Sequence, residues 1–568
     1  MVDILQFAEL VEPCRRSLDP LSSQFPLDHD RVSYDPDPGD GMDFGIGGDH
    51  FDTAGEEPSS AEEWYEGAGT CYSQDGTTFL DIFNADEFAN SNYLSTMLKN
   101  YEAVPRCSPR DQAGNRDPVE CLESLFSNPL FHDKLDFVPR RVYTTAAQVL
   151  HVYLEWLMGD FAWDIQNQLP RGATILGTVL SSDKTNITTM TGARVAHPLL
   201  LGLANIRMCT RTKLSSGAFL LTALLPIPQY LHPNQQMRGM LEDRLIHECL
   251  VIVLKPLMIA AEIGIMMSDP VGNICHCYMP LAAYIVDTPE ACMLTWQNFS
   301  IHHGIISQLV NIKADPNKLK AFFEACTEYW LNGVHTPFWM YWLYADPSVF
   351  LTLESLHHWH NKFWDHNLHW CLVAVGALEL DFRFSILQPI TGYRHFSCGI
   401  LKLKQVTARV HCDVQCYIIG LIAGTAPRHF VTAICALMDV QYMAQSPSPD
   451  DDLLTSIDQS LLIYHQNKDL ELMQSITASM RKVGALIQWS ADATKHAHIS
   501  EIKDPTRHTN NNDYDPQICH HLDRLEKLWR FEIATMLKSH VVDPGTETED
   551  EGGEEEGTAC DEEEPTDP

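Results

Sequence analysis

Positive charge is scarce in this sequence of 568 residues: 39 Lys and Arg stand against 76 Asp and Glu, a formal net charge of −37. Spread evenly, that balance would exclude a nucleic-acid partner, because binding rests on cations that neutralise phosphates. It is concentrated instead at the ends, with about −19 on residues 1–140 and about −13 on residues 541–568, leaving roughly −5 for everything between. Also missing are a Gly-rich phosphate loop, a nucleophile elbow and a basic stripe interleaved with aromatics, which removes the motif-level case for nucleotide hydrolysis, serine hydrolase chemistry or an extended nucleic-acid surface. No basic segment precedes an apolar one at the start, Met1-Val2-Asp3-Ile4, and the 17 cysteines follow no repeated spacing. Reduced thiols in the nucleus or cytosol are expected, not a secreted disulfide framework. The longest apolar stretch, Leu245 to Met267, is broken by His247, Glu248, Lys255 and Glu262, each costly at bilayer depth, so a buried helix is expected and a membrane partner is not.

What is present is a chain of two compositions. Residues 1–139 are rich in Asp, Glu, Gly, Ser and Pro, as in Asp35-Pro36-Asp37-Pro38-Gly39-Asp40, and cannot bury enough apolar surface to offset chain entropy. They are expected to be mostly disordered, with short helices at Leu80–Leu98 and Val119–Phe131 as exceptions; the acidic tail 541–568 belongs to the same class. From Arg140 the hydrophobic fraction rises. Val142 to Met158 has helical apolar spacing; Ala173–Leu180, Pro198–Ile206 and Ala218–Leu225 read as three strands; Met240–Met267 reads as a long helix, and Leu281–Val286 as a fourth strand ahead of Asp287-Thr288-Pro289. Strand, strand, strand, helix, strand over residues 140–290 is the order of a ribonuclease-H-like α/β core. Residues 291–470 are helical in pattern, through Lys318–Trp330, Leu353–Asp365, Val431–Ala444 and Asp452–Tyr464, and form an insertion; helical residues 471–540 would complete the core.

Two constellations have the residue types for chemistry. Asp183 and Asp287 each end a predicted strand, where a rigid sheet fixes a carboxylate well enough to hold a divalent ion; each is equally suited to starting a turn or capping a helix. Glu354, His357 and His360 share a helical face, with Asp365 and His366 just beyond, a pattern open to a metal site or to packed histidines. Cys275-His276-Cys277 lacks a second cysteine pair at zinc-site spacing. Lys402, Lys404 and Arg409, preceded by Arg394, are the local basic cluster, suited to phosphate contact or to a solvated face.

Read together, several uncommon strings carry a resemblance. Trp156-Leu157-Met158-Gly159-Asp160, Ser182-Asp183-Lys184-Thr185, Tyr284-Ile285-Val286-Asp287-Thr288-Pro289-Glu290-Ala291 and Leu331-Asn332-Gly333-Val334-His335 come in that order. Ser355-Leu356-His357-His358-Trp359-His360, Phe363-Trp364-Asp365-His366, Glu379-Leu380-Asp381-Phe382-Arg383-Phe384, Leu403-Lys404-Gln405-Val406 and Gln488-Trp489-Ser490-Ala491-Asp492 follow. Over residues 140–540 the sequence resembles Plavaka-type DNA transposases of the Kyakuja, Dileera and Zisupton group, which abound in mushroom-forming fungi. The resemblance implies a ribonuclease-H-like DDE transposase, in which two Asp and one Glu hold two Mg²⁺ (or Mn²⁺) ions about 4 Å apart to cleave and transfer strands at transposon-end DNA. Asp183 matches the first Asp and Asp287 the second, with Lys184, Arg394, Lys402, Lys404 and Arg409 as DNA-binding candidates.

At the third position the sequence departs from its relatives. Where they read Thr-Glu-His-Ala-His-Ile, this chain has Thr494-Lys495-His496-Ala497-His498-Ile499, a lysine in place of the metal-binding Glu. Cys412 and Cys416 stand where basic residues are usual, and no N-terminal zinc finger precedes the core. The expectation is a degenerate copy with impaired catalysis, Asp492 or Glu501 being the nearest carboxylates able to substitute. The alternative is a non-catalytic, transposase-derived protein that binds DNA or other proteins.

Overall fold

A computed structural model of the chain describes residues 61–67 and 116–541, apart from short internal gaps of which 189–193, 296–311, 352–358 and 466–475 are the longest. Glu354, His357, Lys404, the 80–98 helix and the acidic tail lie outside the described residues. Among the described residues no helix is long and apolar enough to cross a membrane.

The order along the chain mixes small sheets with many helices. Strand β1 (Ala61–Trp64) is followed by helix α1 (Pro118–Phe126), where Asp117 caps the first turn by accepting the Val119 N–H at 2.9 Å and Pro118 presets the backbone. Cys121, Leu122, Leu125 and Phe126, three and four apart, are buried in the main core, so packed chain begins ahead of the Arg140 boundary read from composition.

Val142–Met158 is not a helix. Arg140–Tyr143 (β2) pairs antiparallel with β1, Ala61 opposite Tyr143, and His151–Val152 (β3) returns on β2 after Gln148 takes a positive φ of 53°. A partner strand from far upstream supplies the hydrogen bonds, and Thr144-Thr145 favours extended backbone; tertiary pairing overrides the local periodicity.

After helix α2 (Asp160–Gln166), the run read as one strand is two: β4 (Thr174–Ile175) and β5 (Thr178–Ser182) belong to different sheets. Gly177 marks the break; a Cβ there would lie 2.6 Å from the Trp156 ring, while its N–H donates to Asn205 Oδ1 at 2.9 Å. β6 (Thr185–Thr188) and β8 (Phe219–Leu225) both pair with β7 (Arg194–Leu203), and β5 pairs antiparallel with β7. Helix α3 (Gln235–Ile263) ends at Gly264, φ 73°, and Met266-Met267 turn into strand β9 (Ile265–Ser268), which pairs with β10 (Ile274–Tyr278). Strand β11 (Leu281–Ile285) then joins β5 in parallel, giving the sheet order β11-β5-β7-β8, with β6 beside β7. Every residue of β5 and of β11 is buried, which is why neither shows polar alternation in sequence.

The rest of the described chain is helical. α4 (Thr288–Thr295) and α5 (Leu319–Thr327) precede a π-helical turn at Phe363–Leu368, α6 (His369–Val375), α7 (Ala377–Ser385), α8 (Ala408–Ile422), α9 (Arg428–Met443) and α10 (Asp451–His465). Phe363, Leu380, Phe384, Val414, Ile418 and Leu437 centre a second apolar core separate from that of the sheet. α11 (Ile476–Val483), α12 (Ala491–His498) and α13 (Tyr514–Val541) follow in the last part of the described residues. The described residues Asp523–Val541 belong to a second compact unit, where Asp523–Lys527 (2.5 Å) and Glu526–Arg530 pair one turn apart.

Candidate functional site

Two neighbouring parallel strands end side by side. β5 and β11 are in register up to Ser181 opposite Ile285, so Asp183 and Asp287, each two residues further, leave the same end of strands spaced about 4.8 Å apart. Both are half-buried. Asp287 also caps α4: its Oδ1 accepts the Glu290 N–H at 2.8 Å and its carbonyl accepts the Ala291 N–H at 2.8 Å. The capping role and the strand-end position thus coexist in one residue.

Directly behind these aspartates lies a buried polar cluster that sequence reasoning did not single out. Ser182, the last residue of β5, donates to Glu290 Oε1 and shares a 3.0 Å hydrogen bond with the Tyr284 hydroxyl of β11. His197 on β7 brings Nε2 to 2.9 Å from the same Glu290 oxygen. Burial pushes the Glu290 carboxyl up, but the charge and hydrogen bond of His197, the Ser182 hydroxyl and Lys184 outweigh it and hold the group below its ordinary value. Burial and that carboxylate raise the Tyr284 hydroxyl. His498 of α12 joins them: burial first, then Lys495 and Lys503, lower it to about 4, so it is neutral at pH 7. The signals were faint: Glu290 three residues after Asp287, and His197 inside an apolar strand.

Lys495 is half-buried one turn before His498, near enough for its charge to depress that imidazole. The helix carrying it packs against β8. It is anchored by the preceding Gln488-Trp489, since wholly buried Arg211 donates to Gln488 Oε1 at 3.0 Å and stacks over the Trp489 ring at 4.8 Å. Among the described residues, neither proposed substitute carboxylate completes with the aspartates a group able to hold a metal. Asp492 is exposed at the start of α12, and Glu501 accepts the Leu221 N–H of β8 at 3.2 Å.

One flank of the strand ends is stitched to α3. Lys184 pairs with Glu242 at 2.6 Å; next to it, burial and the Glu242 charge push Asp243 up to about 7, against the pull of Asn332 and Lys184. Asn332 Nδ2 donates to Asp243 Oδ2 and to the Met293 carbonyl, both at 3.0 Å, and Arg244 Nε donates to the Gly333 carbonyl at 2.8 Å. The Leu331–His335 segment is held in place by these bonds.

The remaining candidates are dispersed. His360 is buried in the helical core, its Nδ1 2.7 Å from Gln415 Oε1, and Gln415 in turn donates to Gln441; Asp365 and His366 are exposed. Cys275 and Cys277 pack in the main core. Among the basic residues, Arg409 Nη2 donates to the Gly392 carbonyl at 3.0 Å and the Arg394 N–H to Asp413 at 3.2 Å, while Lys402 is exposed. Arg394 and Arg409 face Asp413.

Magnesium needs several oxygen donors in near-octahedral array, and two ions need shared carboxylates. Asp183 and Asp287 supply the right chemistry for part of that set. Among the described residues no group of three or more His, Cys, Asp or Glu side chains is arranged to hold a metal. The residues present do not fit a two-magnesium centre.

Residues 111–371 match the sequence model of one family, described as Plavaka transposase. The resemblance read from the sequence is borne out over that stretch, which contains Asp183, Asp287 and the Leu331–His335 segment and ends ahead of Lys495. No curated protein matches the chain.

Proposed function

Proceeding from a chain that is Plavaka-type over residues 111–371, we propose a transposon-derived DDE transposase relative on a ribonuclease-H-like core, whose metal-dependent cleavage and transfer of DNA strands is impaired by Lys495. The observation that carries this is the register of β5 and β11, which lets Asp183 and Asp287 leave the same end of adjacent parallel strands. Support also comes from the sheet order β11-β5-β7-β8 and from the reach of Lys495 to the cluster behind the aspartates.

The impairment is electrostatic. Exchanging a carboxylate for an ammonium changes the local charge by two units, and one unit pair at about 4 Å is worth roughly 4 kcal/mol at an effective dielectric near 20. Solvent around half-buried Lys495 shrinks that figure, but a residue of about 1.4 kcal/mol already weakens ion occupancy tenfold. The substrate class is duplex DNA carrying transposon ends.

Cleavage of such a duplex with Mg²⁺ present is the test, with the native chain, Lys495→Glu and the double variant Lys495→Glu/Asp183→Ala side by side. Expected are no cleavage by the native chain, cleavage by Lys495→Glu, and its loss in the double variant. Equal cleavage by the native chain and Lys495→Glu contradicts the impairment. DNA binding without cleavage by any of the three favours a non-catalytic binding protein.

A further inference from the structure

The sequence Asp287-Thr288-Pro289-Glu290 has the spacing of a capping box, in which the fourth residue normally turns its side chain back to the main chain of the first. Half of that motif is made, with Asp287 Oδ1 accepting the Glu290 N–H at 2.8 Å. The Glu290 side chain goes elsewhere: Oε1 accepts from Ser182 and lies 2.9 Å from His197 Nε2. Burying a carboxylate there is costly unless it is paired and hydrogen-bonded, so a solvent-facing box would be the cheaper choice for a helix start alone.

What the buried arrangement gives is a bridge between the two strand ends. The residue bonded by the Glu290 side chain is the immediate neighbour of Asp183, and the group bonded by its main-chain N–H is the carboxylate of Asp287. We propose that Glu290 is a positioning residue that cross-braces the ends of β5 and β11, fixing the Asp183 and Asp287 carboxylates relative to each other, with His197 as the strut that keeps the Glu290 side chain turned inward. This deepens the assignment of the two aspartates made above and rests on it for its functional meaning. The brace itself is independent of what occupies position 495. It explains why a copy that has lost the third acid retains an aspartate pair in register: Ser182, His197 and Glu290 hold the strand ends whether or not an ion is bound.

The test uses the full chain in the Lys495→Glu background. Ser182→Ala removes one end of the brace and Glu290→Gln removes its charge, while Leu254→Ala, a buried residue of α3 with no bond to the cluster, matches them for loss of stability. Two quantities are read: Mn²⁺ affinity by the loss of the free-ion electron paramagnetic resonance signal, and hydrogen exchange of the Glu290 amide, whose acceptor is Asp287. Ser182→Ala and Glu290→Gln are expected to weaken Mn²⁺ binding about tenfold or more, the usual cost of removing an outer-shell partner. They are also expected to speed Glu290 amide exchange well beyond Leu254→Ala at equal unfolding midpoint. Exchange and affinity that merely follow the midpoint in all three variants overturn the brace. If Lys495→Glu binds no Mn²⁺, the assignment of the aspartates fails, and the exchange measurement alone then decides whether the brace exists.

Discussion

Among the described residues, the buried histidine network at the end of the sheet and the one among the helices around His360 are built differently. In the helical core His360, Gln415 and Gln441 form a chain whose partners are neutral amides. At the sheet end His197, Glu290 and Ser182 include a charged carboxylate, and His197 Nδ1 and His498 Nε2 are buried with no protein group bonded to them. Neutral amide chains are what a core tolerates cheaply; a charged, incompletely bonded cluster persists where something other than packing depends on it. By sequence the helical stretch was the more conspicuous, with three histidines near a glutamate, of which only His360 lies among the described residues.

Truncation should separate the two networks most strongly. His197→Ala strands the Glu290 carboxylate and is expected to cost about 3–5 kcal/mol, whereas His360→Ala leaves only an amide oxygen unmatched, at about 1–3 kcal/mol. Urea denaturation of both variants checks the order; equal losses would erase the distinction.

Acid should act next. His498 and His411 are each lowered from 6.5 to about 4, His498 by burial, Lys495 and Lys503, His411 by burial and then His360. A group whose folded value is depressed is protonated first in the unfolded chain, so the stability it contributes is present above pH 6.5 and lost as pH falls through 4. The slope approaches about 1.4 kcal/mol per pH unit for each histidine. Ring-proton resonances should show neither titrating near pH 6.5, and in Lys495→Glu the His498 midpoint alone should move up. Movement of both, or of neither, breaks the separation between the regions. Asp243 runs opposite: raised to about 7, it opposes folding as pH rises from 3.8 to 7, and Asp243→Asn should stabilise the chain at pH 8.

Smallest is the exposed rim of the sheet-end site. Lys184 is 46% exposed in its pair with Glu242, and Lys184→Ala should cost no more than about 1 kcal/mol in thermal melts at moderate salt.

Strands β5, β7, β8 and β11 were legible in outline because each lies in a short β-branched or leucine-rich run bounded by turn residues, whereas β6 was not, and Asp183 and Asp287 stand out as the first charged residues after such runs. Their adjacency was not legible, because it depends on which strand lies beside which. The Val142–Met158 error has the same origin, since the partner of Arg140–Tyr143 is Ala61–Trp64, far away in sequence. Glu290 and His197 went unrecognised as a pair because they are buried on different elements, and a sequence shows neither burial nor pairing. Lys495 draws attention only through the family resemblance, as the residue proposed at the third acidic position.

The central claim, that a lysine at position 495 prevents ion loading of an otherwise ordered aspartate pair, is tested most directly by calorimetric Mg²⁺ titration of the native chain and of Lys495→Glu at matched ionic strength. The prediction is at least about tenfold tighter binding in Lys495→Glu, abolished when Asp183→Ala is added. Equal affinity in the native chain and Lys495→Glu would contradict it.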